Sequence, residues 1–202
     1  MVSLKDQKQS KMSYENIVKY IFENGVLKSV KRSGWWLIGI KGGESVSEHI
    51  QRTTLIGYIL AKLENANTEK VMIMCIFHDN HESRINDLHK VGHRYINFRK
   101  AEELVKDEQL EILPKEISKE VNELISQIKG DKSNEGIVAR DADLLENAFT
   151  AKEYITNGYK DAQNWINNIK KALRTESAKK ILEEIEKINP NSWWYNLKKA
   201  ER

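Results

Sequence analysis

The sequence predicts an all-α fold, and three observations carry that expectation. Two prolines and ten glycines in 202 residues leave little turn punctuation. Long stretches place apolar residues at the helical period of 3.6 and not in strict alternation. With 40% apolar and 31% charged residues of both signs, the chain has enough apolar surface to build a core and is not a disordered polyampholyte. Its length suits one domain, because two would each be small. The expected architecture is a single helical bundle over 1–202, with a motif-bearing core at about 13–158 and C-terminal helices at about 159–202.

The elements follow in order. From Ser13, the apolar positions Ile17, Val18, Ile21 and Phe22 define a first helix that fades near Gly25. Residues 30–46, with Gly34, Gly39, Gly42 and Gly43, form the longest break in periodicity. A second helix begins with Ser45 or Ser47 as N-cap and turns Leu55, Ile56, Ile59, Leu60 and Leu63 inward, which puts His49 in its first turns. Thr68 caps a third helix whose apolar run is continuous, as expected of a helix surrounded on all sides, and which ends at "HDNHE". Pro114 suits the first turn of a helix bearing Ile117, Val121, Leu124 and Ile128, and Gly136 to Asn157 reads as another, stopped by Asn157 and Gly158. Two more span about 159–173 and 175–188, the last stopped by Asn189 and Pro190. The aromatics of "NPNSWWYNLKK" are expected to dock the tail onto the body or onto a second subunit.

Charge and hydropathy exclude several functions. The formal net charge is only +3, with Lys and Glu interleaved and no basic block, so a nucleic acid is not the expected partner. The longest apolar run, "VMIMCIF" (71–77), is far short of the roughly 18 to 20 residues of a membrane span. The N-terminal "MVSLKDQKQSKM" has no apolar core of a secretion signal, and Cys75, the single cysteine, has no intrachain disulfide partner. A reducing, cytoplasmic setting is expected.

All five histidines lie between His49 and His93. In "HDNHE" (78–82), His78 and Asp79 point about 100° apart around a helix axis, yet at a helix end both reach one point beyond it. His78 and Glu82 stand at i,i+4 on one face. Desolvating Asp79 is costly without a charge partner, and a divalent metal is one; a cap or a surface salt bridge is the plainer alternative for an isolated "HD". "RDADLLE" (140–146) adds Asp141, Asp143 and Glu146 inside an otherwise apolar helical pattern, and acids in a buried helix suggest a site. A zincin-type protease is excluded, because His78 and His81 stand at i,i+3.

A lone His, then "HD", then a distant Asp resembles the HD-domain metal phosphohydrolases, and within them the 5'-deoxynucleotidase branch. The resemblance rests on "KSVKRSGW", "ESVSEHIQR", "HDNHESRINDLHK" and "VARDADLLENAFTAKEY", which occur in that order and cover most of residues 27–154. It implies a divalent metal held by His49, His78, Asp79 and Asp143, with Asp141 the second choice for the last. Two imidazole ligands favour Mn²⁺, Co²⁺ or Fe²⁺ over Mg²⁺. Glu82 resembles the catalytic glutamate that orients a water or moves its proton, and Asp87 matches a further catalytic position. The pattern Arg, spacer, Gly, Trp falls on Arg32, Gly34 and Trp35, which would place Arg32 on a phosphate and Trp35 against a sugar. Core filler is the other reading of Trp35 and Trp36. The proline that the family commonly carries before that arginine is Lys31 here. No acidic residue close in sequence obviously pairs with Arg32, and His81, His89 and His93 receive no role. The implied activity is hydrolysis of deoxyribonucleoside 5'-monophosphates by a homodimer. Phosphodiester or nucleoside triphosphate hydrolysis, or a catalytically silent metal- and nucleotide-binding module, are the alternatives.

Overall fold

The computed structural model describes residues 13–130, 133–195 and 197. The remaining positions assigned to the domain, and the part of the aromatic tail at 196 and 198–199, lie outside them. The described residues form no strand; the only bridge joins Lys31 to Ser45 across the ends of the 30–46 segment. The helices are α1 (Tyr14–Asn24), α2 (Val46–Leu63), α3 (Thr68–Phe77), α4 (Glu82–Ile85), α5 (Phe98–Glu111), α6 (Lys115–Ile128), α7 (Asn134–Thr156), α8 (Gln163–Ala172) and α9 (Glu176–Lys187). The all-α expectation is met.

Helix α7 is the axis of the bundle and packs against α2, α3, α6, α8 and α9. Its buried face carries Ala139, Ala142, Ala148 and Ala151, whose small side chains let neighbouring helices come close. One such close approach is at Gly57 of α2, where α3 and α7 both come near. A Cβ built there would lie 2.7 Å from Cys75 Sγ on α3, 3.2 Å from Val71 and 3.7 Å from Ala142 on α7. A helical glycine costs about 1 kcal/mol relative to alanine, and here the missing methyl is what lets three helices meet. Burial at this junction pushes the Cys75 thiol well above its ordinary range.

Helix boundaries follow side-chain caps. Ser45, not Ser47, starts α2 through a reciprocal capping box with Glu48. Asn67, one residue before the expected Thr68, caps α3 by accepting from the Lys70 N–H, and Ser133 caps α7. Helix α1 lies where its apolar positions put it, with a buried face the sequence left open, and three other expectations need correction. On α1, Val18, Ile21 and Phe22 are exposed; the helix instead buries Tyr20, which stacks on Phe77 and accepts from Asn80. On α2, Leu55, Ile59 and Leu63 are exposed, and the inward face runs through His49, Thr53, Ile56, Gly57, Leu60 and Ala61, because α7 occupies that side. Helix α3 is not surrounded, since Ile76 is exposed. The charged helix α5, "FRKAEELVKDEQLE", has no clear apolar stripe and was not expected.

Trp193 is 74% exposed beside a groove lined by Phe149, Ile181, Ile185 and Ile188, so the aromatic tail reaches the body without being buried by it. No helix among the described residues is long and apolar enough to cross a membrane.

Candidate metal centre

Three helices bring four side chains to one point. The capped first turn of α2 presents His49, the end of α3 presents His78 and Asp79, and the middle of α7 presents Asp143. His49 Nε2 lies 3.3 Å from His78 Nε2, 3.2 Å from Asp143 Oδ1 and 3.7 Å from Asp79 Oδ2. His78 Nε2 lies 3.2 Å from Asp79 Oδ2 and 4.0 Å from Asp143 Oδ1. Both Nδ1 atoms are engaged elsewhere: His78 Nδ1 donates to the Cys75 carbonyl at 2.8 Å, and His49 Nδ1 to Glu146 Oε2 at 2.5 Å. Two buried imidazole nitrogens therefore face each other with lone pairs between two carboxylates. A neutral pair of acceptors cannot satisfy itself; it needs a cation in the middle. Two nitrogens and two oxygens at these separations fit a divalent metal. Burial and Arg32 oppose a charge on His49, yet Asp143 and Glu146 raise its pKa to about 9, so a metal must compete with a proton for the Nε2 lone pair.

The rim of the centre carries Arg32, Glu82 and Asp87. Arg32 is set at the start of the 3₁₀ turn Ser33–Ile38 and reaches residues far away in sequence. Its Nη1 donates to Asp79 Oδ2 at 3.0 Å and lies 3.9 Å from Asp87 Oδ1, and its Nη2 donates to Asn147 at 3.2 Å. The partner missing from its sequence neighbourhood is thus the centre itself. Burial works against its charge, but Asp79, Glu82 and Asp87 hold the guanidinium above its ordinary range. Asp87 also accepts from the Ser33 N–H and so fastens the 30–46 segment to the loop after α4. Glu82 is 5% exposed and its Oε2 has no hydrogen-bond partner among the described residues. Burial first, then the charges of Asp79 and Asp87, push its carboxyl well above the usual range.

Trp35 is not part of this rim, which corrects its placement against a sugar. Its ring is 1% exposed, stacks on Trp165 at 4.8 Å, meets Tyr154 edge-on and donates from Nε1 to Glu44 at 3.0 Å. A ring buried to this extent, with its N–H engaged, has no free surface, whereas Trp36 is 53% exposed. The other histidines stay outside. His81 lies near Asp79 and Glu82 but turns Nε2 toward Glu102 at 3.7 Å, while His89 and His93 bond to nearby backbone at Gly92 and Leu88.

Asp141 and Asp143 separate cleanly by partner. Asp141 is fully buried and accepts from the Arg174 N–H, the Thr175 N–H and Thr175 Oγ1, tying the start of α9 to α7. Asp141→Ala should therefore lower stability by roughly 2–4 kcal/mol through unpaired buried donors, with metal content unchanged. Chemical denaturation and elemental analysis check both parts; loss of metal without loss of stability would exchange the roles of the two aspartates.

A second layer lies behind His49. Glu146 Oε1 accepts from Arg52 Nε at 2.9 Å and from Thr150 Oγ1 at 3.0 Å; Arg52 also donates to Thr150 and, at 2.6 Å, to Glu153. Burial opposes the Glu146 charge, but His49 and Arg52 draw its carboxyl down to about 2. Of this layer only Glu146 stood out in the sequence, as one of three buried acids. Arg52 is three residues past His49 and Glu146 three past Asp143, the helical spacing that could have paired them.

Comparison with known proteins agrees with this geometry. A family model described as the HD domain matches residues 24–187. The 5'-deoxynucleotidase HDDC2 of Dictyostelium discoideum is 31% identical over 149 residues, covering 69% of this chain and 77% of that protein. The human 5'-deoxynucleotidase HDDC2 is 26% identical over 141 residues, covering 69% and 68%. A solved structure from Archaeoglobus fulgidus, 30% identical, superposes with a TM-score of 0.64 over 89% of this chain and 99% of that one. One from Pyrococcus horikoshii OT3, 26% identical, gives 0.72 over 84% and 98%. With the family model spanning the bundle from the end of α1 to the end of α9, this chain belongs to the HD-domain family.

Proposed function

We infer that this chain is a metal-dependent phosphomonoesterase that hydrolyses deoxyribonucleoside 5'-monophosphates to deoxynucleoside and phosphate. The observation that carries the reading is the convergence of His78, Asp79 and Asp143 within 3.7 Å of His49 Nε2, beside a buried Glu82 whose Oε2 has no hydrogen-bond partner among the described residues. Relatives named 5'-deoxynucleotidase across most of the chain support the substrate class.

In this reading His49, His78, Asp79 and Asp143 hold a divalent cation, with Mn²⁺, Co²⁺ or Fe²⁺ favoured by the two nitrogen donors. Such an ion supplies charge to phosphoryl oxygens and makes a water easier to deprotonate. The protein does the rest. Arg32, kept charged by the surrounding carboxylates, faces the phosphate from the rim of the centre. Hydrolysis forms a bond from water oxygen to phosphorus and breaks the bond to the 5' oxygen, which must gain a proton. Burial raises the Glu82 carboxyl, so it holds a proton more readily than a solvated carboxylate does; ionised it can take one from the attacking water, and protonated it can give one to the leaving oxygen. Asp87 holds the Arg32 segment in place through the Ser33 N–H.

Two further parts of the reading concern setting. A homodimer is supported by the exposed apolar residues Leu55, Tyr58, Ile59 and Leu63 on α2, and Val18, Ile21 and Phe22 on α1. The buried free thiol of Cys75 fits a cytoplasmic location.

The test is phosphate release from a panel of deoxy- and ribonucleoside 5'-monophosphates after chelation and re-addition of single metals. Release from the deoxy substrates with Mn²⁺, Co²⁺ or Fe²⁺ is expected. Absence of release under every metal would leave a silent binding module, and release from diesters or triphosphates alone would move the assignment to another HD chemistry.

A further inference from the structure

We propose that Glu146, clamped by Arg52, is a positioning residue that dictates which nitrogen of His49 faces the metal centre. The proposal rests on the reading of His49 as a ligand. A neutral imidazole carries one N–H, and only its bare nitrogen can bind a cation. His49 is fully buried, so the choice between Nδ1 and Nε2 is made by the protein and not by water. Glu146 Oε2 sits 2.5 Å from Nδ1, and a carboxylate only accepts. The proton is therefore held at Nδ1, and the Nε2 lone pair is left toward His78, Asp79 and Asp143.

What keeps Glu146 in that role is the far side of its carboxylate. Oε1 lies 2.9 Å from Arg52 Nε and 2.8 Å from Arg52 Nη2, and also receives Thr150 Oγ1. Arg52 is itself fixed by Glu153 and stands 3.8 Å from Glu44, which Trp35 and Thr150 hold at 3.0 Å each. A guanidinium has five donors and no acceptor, so it demands an oxygen from whatever occupies position 146. This turns Glu146→Gln into a directed test. An amide has one oxygen and one NH₂; Arg52 claims the oxygen, and the NH₂ is turned on His49. Nδ1 must then accept, its proton moves to Nε2, and the ligand lone pair points the wrong way.

The experiment measures Co²⁺ affinity of the full-length chelated protein by chelator competition, with the visible Co²⁺ spectrum and thermal unfolding of each variant. Glu146→Gln is expected to weaken Co²⁺ binding by about 10- to 100-fold, the usual effect of a lost orienting partner. In Arg52→Met/Glu146→Gln the guanidinium is gone and the amide can turn its oxygen to Nδ1–H. That double variant should regain at least roughly tenfold of the loss, a non-additivity that simple damage to the core would not produce. Unchanged affinity in Glu146→Gln, or a double variant as weak as the single, overturns the proposal. If Glu146→Gln does not fold, Arg52→Met/Glu146→Gln is compared with Arg52→Met/Glu146→Leu; only the amide can accept from Nδ1, so equal affinities overturn it as well. His49→Ala separates the two layers of argument: full Co²⁺ affinity there would remove His49 from the ligand set, and the positioning role with it.

Discussion

His78→Ala or Asp79→Ala is expected to leave a folded protein that retains no metal after chelation and reloading, and releases no phosphate. His49 Nε2 stands 3.2 to 3.7 Å from donor atoms of the other three residues, which two further helices deliver, so either variant leaves an incomplete shell. Asp79 also anchors Arg32, and its removal leaves that guanidinium poorly paired at the mouth of an emptied charge cluster. The loss of affinity should exceed the roughly 100-fold that an outer partner costs. Elemental analysis after dialysis, with phosphate release measured on the same samples, checks it. Full metal content in either variant would contradict the assignment.

Glu82→Ala should behave in the opposite way. The ligands remain, so metal and substrate still bind, while the rate falls by about 10²- to 10⁴-fold through lost proton handling. Stability moves in the other direction. Glu82 makes no hydrogen bond through Oε2, and its charge is opposed first by burial and then by Asp79 and Asp87. Removing it takes away a destabilising group, so the melting temperature should be unchanged or higher, the pattern of a residue kept for activity at the expense of stability. Metal analysis, single-substrate kinetics and a thermal melt decide the matter together. Near-normal turnover would reduce Glu82 to a passive buried acid.

Much of this was legible in the sequence, and the failures have physical causes. The long helices α2, α6 and α7 followed their apolar period and caps. Four acids and imidazoles that the motifs suggested as ligands do meet in space. The face read for α2 is wrong because the pattern counts apolar residues, whereas the buried face of α2 also uses His49, Thr53, Gly57 and Ala61, chosen for chemistry and closeness. Helix α5 escaped because it is mostly charged and buries only Phe98, Val105, Gln109 and Leu110; it is held partly by polar contacts such as Gln109 to Glu23 and Ser83. Trp35 was misplaced since a tryptophan beside a phosphate-facing arginine suits either a sugar or a core, and only its partner Trp165, 130 positions later, decides between them. The layer of Arg52, Glu44 and Thr150 behind His49 is made of contacts roughly a hundred residues apart, and the three-residue step from His49 to Arg52 is the one local hint of it.

The junction at Gly57 gives that sequence position an unusual kind of importance. Gly57 lies two turns beyond His49 on α2, Cys75 one turn before His78 on α3, and Ala142 beside Asp143 on α7. The point where the three rods touch is therefore within about two turns of each of the residues they deliver. The gauge of the metal centre is set by a side chain that is not there: glycine acts as a spacer of zero thickness, and any thicker one would widen the distances between ligands without altering a single ligand. Tolerance to mutation in such a fold is governed less by which residues bear the chemistry than by how thin the shim between their supports is allowed to be.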